Sequence, residues 1–314
     1  MMVILLMNSF SSTILLAQYN NEWIDYNKTY YKFKVGQTGI YRIPYSVLQS
    51  SGLGTARAEH FQLWRNGQEV PVYTSTPSGL LTSSDFIEFF GVMNDGKPDA
   101  VMYKKPEFQL SDKWSLQTDT AAYFLTLNTG SLNLRITASA NNVAQNTLPP
   151  DRYFMYTFSR NFKDQINAGF AAIVGVYVYS SSYDNGEGWS SRNIQPASPL
   201  VEQYTNLYPS SEGPDPVFRI TGFGNALNTR SLQVRINGTE IMNEKMDYFS
   251  SLLKEQMFSK SRLSGVVDTI RIINTSAVNT DRVTLGKLSS EIESRRGSFP
   301  QSYDIGYQLA NDQT

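Results

Sequence analysis

Hydrophobic and polar positions alternate in short runs along most of this chain. Residues 30–35 read Tyr-Tyr-Lys-Phe-Lys-Val, an apolar face and a wet face, which predicts a half-buried strand. Residues 36–39 predict a turn and 40–43 a returning strand. Pro44 then opens 45–51, with Gly52 just beyond. Proline at the start and glycine past the end predict a helix of about two turns. Residues 60–65 and 68–73 flank Asn66-Gly67. That pair predicts a tight hairpin, because both turn positions need positive φ. Further strands are expected at 85–90, 121–127 and 133–138.

Residues 139–150 are polar and end in Pro149-Pro150, which makes them the expected domain boundary. Beyond it, 152–158, 170–179, 217–222, 231–236 and 266–274 read as strands, and Asn237-Gly238 marks a second hairpin. Residues 180–216 read as a long loop with local order at 200–208, and 249–258 as a short helix. The alternation fades from Ser290. These runs predict an all-β fold: two β-sandwich or jelly-roll-like units with short helices and long loops. The expected domains are 18–150 and 151–288, followed by an irregular tail at 289–314.

The first residues depart from this texture. Val3–Leu6 and Ile14–Leu16 are apolar, Ala17 is small, and a polar run follows from Tyr19. That is the core and cleavage-site pattern of a secretory signal peptide over residues 1–17, although no Lys or Arg precedes it. An exported protein, at the cell surface, outer-membrane-associated or secreted, is the expectation. No stretch reaches the roughly 20 apolar residues that a membrane-spanning helix needs.

Composition narrows the chemistry. The 314 residues carry 27 basic and 28 acidic side chains, a net charge of −1, so nothing favours binding nucleic acid through phosphate neutralisation. There is no Cys, which excludes disulfides, thiolate metal sites and a Cys nucleophile within this sequence. The single His, His60, lies in an alternating run without a G-x-S-x-G elbow elsewhere, and reads as a structural or surface residue.

Two loops carry candidate binding residues. Asn94-Asp95-Gly96-Lys97-Pro98-Asp99 places oxygen ligands around a glycine, so Asn94, Asp95 and Asp99 are candidate calcium ligands. The same composition makes an ordinary tight turn without an ion, and no other cofactor is expected. Tyr183-Asp184-Asn185-Gly186-Glu187-Gly188-Trp189 is the most site-like loop. Trp189 and Tyr183 could stack on a sugar or a peptide, and Glu187 could serve as a general acid only with a second carboxylate at a set distance. The bland alternative is a loop anchored to a sheet by its tryptophan.

Several stretches together carry a resemblance: Tyr31 to Pro44, Phe61 to Val72, Asp85 to Gly91 with Asn94 to Asp99, Ser115 to Leu125, and Gly186 to Trp189. They resemble the N-terminal, non-catalytic region of gingipain-like cysteine peptidases, and within these the PorU-type sortases of the Bacteroidetes type IX secretion system. The resemblance implies β-rich domains ahead of a caspase-like domain with a His–Cys dyad. It also implies a downstream catalytic domain and outer-membrane secretion proteins as partners. No position here matches the dyad, so no catalytic residue carries over. The alternative is a stand-alone exported module binding glycan or protein, and a carboxylate hydrolase ranks third. Asp119-Thr120-Ala121 and Asp268-Thr269-Ile270 also match the short O-glycosylation pattern of exported Bacteroidetes proteins.

Overall fold

The structure is a computed structural model and describes residues 21–130, 132–138, 153–169 and 183–295. The expected signal peptide, the boundary loop at 139–150, the strand at 170–179 and the tail beyond 295 lie outside the described residues. The chain divides into two compact units. Unit 1 takes the residues up to Met93 together with those from Thr120 to 138. Unit 2 takes Asn94–Asp119 and the chain from 153 onward. The boundary read from sequence fell at 150. The assignment of 94–119 to the second unit rests on contacts with residues distant in sequence, which no local pattern records.

Unit 1 is a small sandwich. Strands β1 (Tyr31–Val35), β3 (Phe61–Arg65), β4 (Gln68–Val70) and β7 (Ala121–Leu127) form an antiparallel sheet in the order β1-β7-β3-β4. Strands β2 (Gly39–Pro44), β5 (Val72–Thr74) and β6 (Phe86–Gly91) form a second in the order β2-β6-β5. The one α-helix among the described residues, α1 (Tyr45–Ser50), starts after Pro44 and buries Leu48. Phe61, Leu63, Tyr123 and Leu125 from the first sheet meet Val72, Ile87 and Phe89 from the second in one core. Burying side chains of this size stabilises by about 1.5–3 kcal/mol each. The Asn66-Gly67 hairpin forms as expected, with φ of 49° and 76°.

Unit 2 is a larger sandwich. One sheet joins β11 (Leu200–Thr205), β13 (Thr229–Ile236), β14 (Thr239–Asp247) and β16 (Val267–Asn274) in the order β11-β16-β13-β14. The other joins β8 (Tyr153–Asn161), β12 (Val217–Gly224), β15 (Ser251–Met257) and β17 (Val283–Arg295) in the order β15-β12-β17-β8. A short pair, β9 (Gln165–Ala168) with β10 (Glu187–Ser190), completes it. Phe218, Ile220, Leu285 and Leu288 of one sheet face Leu232, Val234, Ile270 and Ile272 of the other. The all-β, two-sandwich reading therefore holds.

Four local expectations change. The helix expected at 249–258 is strand β15. Its Leu, Lys, Glu, Gln and Met favour helix, but seven register pairs with β12 override that preference. Residues 133–138 make only one bridge, Arg135 to Val72, not a strand. His60 ends a 3₁₀ turn, Ala58–His60, ahead of β3. Regular structure continues past Ser290: β17 runs to Arg295 along β8. Gly286 hides β17 from the pattern, because it is the extra residue of a bulge. Thr221 pairs with Lys287 while Gly222 pairs with Leu285.

Candidate functional site

The candidate residues of both loops lie in unit 2, where Asn94–Asp119, hereafter the strap, packs on the rest of that unit. The strap contains no strand. It folds into two short 3₁₀ turns, Lys97–Met102 and Pro106–Phe108, each opened by a proline near its start. Gly96 enters the first turn at φ 79°, and a side chain there would collide with the Trp114 carbonyl.

The three candidate calcium ligands point to different partners. Asn94 Oδ1 accepts from the Gly96 N–H at 3.2 Å, and its Nδ2 donates to the Thr118 carbonyl at 2.8 Å. Asp95 Oδ1 accepts from the Lys97 N–H at 3.2 Å, and Oδ2 lies 3.5 Å from the Lys97 ammonium. Asp99 is buried, its carboxylate accepting from the Ser115 hydroxyl at 3.1 Å and the Leu116 N–H at 3.0 Å. Among the described residues, no three His, Cys, Asp or Glu side chains are placed to share a metal ion. The carboxylates here do the work of turn and loop closure.

Glu187 and Trp189 are not in a loop. Asp184–Gly186 makes the turn, with Gly186 at φ 78°, and Glu187 starts β10. The Glu187 carboxylate caps its own turn by accepting from the Asp184 N–H at 3.1 Å. Asn167 Nδ2 donates to the Gly186 carbonyl at 2.6 Å, and a side chain at 186 would overlap the Phe223 ring. Trp189 Nε1 donates to the Ser115 carbonyl at 3.0 Å.

The strap and this turn are clamped together. Tyr183 forms a parallel bridge with Tyr103, its N–H donating to the Met102 carbonyl at 2.9 Å and its carbonyl accepting from Lys104 at 3.0 Å. The two rings meet edge-on at 5.0 Å. The Tyr103 hydroxyl donates to the Glu187 carbonyl at 2.7 Å, and burial pushes its pKa up, so it stays a donor at any physiological pH. Gln117 donates to the Tyr183 hydroxyl. Lys104 pairs with Asp184 at 2.7 Å.

Lys163, which the sequence reading did not single out, completes the arrangement. Its ammonium lies 4.4 Å from the Trp114 ring centre, 5.1 Å from that of Trp189, and 2.5 Å from Asp119. A cation between two indoles and a carboxylate gains from ring quadrupoles and charge at once. Of its partners, only Trp189 was a candidate binding residue in the sequence. Of the O-glycosylation-pattern residues, Thr269 lies half-buried in β16 opposite Gln203.

No helix of the described residues is long and apolar enough to cross a membrane. The sequence matches no protein-family profile and no curated protein. Among solved structures, it is similar to dimeric latent PorU from Porphyromonas gingivalis, at 11% identity and a TM-score of 0.44. That match covers 85% of this chain and 24% of the PorU chain, so the chain spans about a quarter of that protein. It is also similar to the CBM36-1 domain of a multidomain xylanase from the hindgut metagenome of Trinervitermes trinervoides, at 12% identity, covering 43% of this chain and 96% of that one, TM-score 0.27. A third is a β-porphyranase of glycoside hydrolase family 86 from Bacteroides plebeius, at 9% identity, covering 87% and 36%, TM-score 0.27.

Proposed function

We propose that this chain is a non-catalytic β region of a gingipain-like secretion peptidase or sortase. In this reading it scaffolds a Cys–His catalytic domain, docks secretion partners and works outside the inner membrane. The sequence supplies no Cys, so a catalytic thiolate must come from elsewhere. The observation that supports the reading is where the resemblance-bearing motifs fall. Asn94–Asp99, the start of Ser115–Leu125, and Gly186–Trp189 are far apart in sequence, yet meet in the one clamp of unit 2. Asp99 holds Ser115 and Leu116, Ser115 holds Trp189, and Tyr103 holds Glu187. Motifs that serve one another structurally are what a scaffold carries. The candidate binding side chains Tyr183, Glu187 and Trp189 have polar atoms engaged within the clamp, which fits packing better than a glycan platform.

The test is the mass of the protein in its own cells, by immunoblot and mass spectrometry of the band. The expected result is a band well above 35.4 kDa, with peptides continuing past Thr314 into a Cys-containing domain. A band at or below 35.4 kDa would discard the scaffold reading and leave the glycan- or protein-binding module in its place.

A further inference from the structure

We infer that the strap Asn94–Asp119 is a salt-sensitive latch: it opens from unit 2 while the sandwich beneath it stays folded. This goes beyond the scaffold reading and does not depend on it.

The inference rests on how unevenly the strap is bonded. The large core of unit 2 contains no strap residue; all of its members come from 158 onward. The strap contributes Leu110 to a separate small cluster with Phe223 and Phe249, and buries Tyr103 against Tyr183. Apart from the Trp114 ring against the Lys163 ammonium, its other ties are polar. They include Tyr103 to the Glu187 carbonyl, Trp189 to the Ser115 carbonyl, Thr221 Oγ1 to the Leu110 carbonyl, and the bridge at Tyr183. Three ion pairs add to these: Lys104–Asp184 at 2.7 Å, Lys163–Asp119 at 2.5 Å and Lys287–Asp112 at 4.0 Å. Each leaves side-chain surface in water, from 13% to 49%. Released polar groups regain water, so opening costs mainly the small apolar cluster and the screened pairs. The large core keeps all of its own members when the strap leaves. Segments with few buried apolar contacts open below the global unfolding free energy.

Opening would uncover Phe223, Phe249 and the bulge at Gly286. Gly286 is shaped for the closed state, since a side chain there would collide with Leu110. Thr221 Oγ1 likewise serves both partners, donating to Leu110 and accepting from the Lys287 N–H at 2.9 Å. The closed strap is thus a defined seat rather than a loose loop.

Hydrogen exchange followed by mass spectrometry tests this on the whole chain. Peptides covering 97–118 should exchange at least tenfold faster than those covering β13 and β16. Raising NaCl from 0.05 to 1 M should speed the strap peptides selectively, by roughly tenfold for three partly exposed pairs. Lys104→Gln with Lys163→Gln should reproduce that acceleration at low salt and remove most of the salt response. Strap protection equal to that of β16, or lower protection that salt leaves unchanged, overturns the latch.

Discussion

Arg230 and Asp281 meet as a bidentate pair with neither side chain reaching solvent: Nε to Oδ2 at 2.6 Å and Nη2 to Oδ1 at 2.8 Å. Further hydrogen bonds hold both groups in place. Arg230 also donates to the Tyr248 and Ala226 carbonyls at 2.7 and 2.8 Å, and Asp281 accepts from Asn228 and Asn274 at 3.1 and 2.9 Å. Three turns are thereby tied at one end of the larger sandwich. Tyr248 is held there at φ 50°, an unusual backbone for a bulky residue.

Asp281→Ala should therefore destabilise unit 2 by about 3–5 kcal/mol, because it leaves a buried guanidinium without its counter-charge. Replacing both partners, as in Arg230→Met with Asp281→Leu, should recover most of that loss. Urea denaturation of the single and double variants checks both.

Acid should act through Glu59 in unit 1. Its own backbone N–H, then Arg57, with a further N–H from Gly79, lower its carboxyl from an ordinary 4.5 to about 2. A carboxyl held below its unfolded value adds stability that is full above about 4.5 and lost as pH falls towards 2. The stability gap between the native chain and Glu59→Gln should accordingly be constant near pH 6 and close between pH 4.5 and 2, as measured by thermal melts at stepped pH.

Trp189→Phe should keep the ring under Lys163 but lose the bond to the Ser115 carbonyl, at a cost of about 1 kcal/mol. Trp189→Ala should cost about 2–4 kcal/mol by removing packing as well. If Trp189 were instead an open glycan platform, truncation would leave the urea midpoint unchanged.

Gly186→Ala should destabilise unit 2 by about 2–4 kcal/mol, combining a positive φ with overlap on the Phe223 ring. Gly238→Ala is the control. It shares the positive φ but has open space around it, and should cost roughly 1–2 kcal/mol. Equal losses at the two sites would count against the packing argument.

What the sequence determined by itself was local. Asn66-Gly67 and Asn237-Gly238 turn where they stand because positive φ is a property of the residue pair, and both hairpins form around them. Pro44 starts α1 for the same kind of reason, and alternation at β1, β6, β7 and β13 records one buried face per strand. Lack of cysteine settled which chemistries the sequence cannot supply. Tertiary structure decided whatever depends on partners distant in the chain. The residues of β15 prefer helix and become strand only because β12 offers a ladder. Gly286 is explained only by the bulge and by Leu110 above it. The strap joined unit 2 because Tyr183, Trp189 and Thr221 wait there, and Arg230 found Asp281 across 51 residues. Such contacts follow from long-range complementarity of shape and hydrogen bonding, which leaves no period in the sequence.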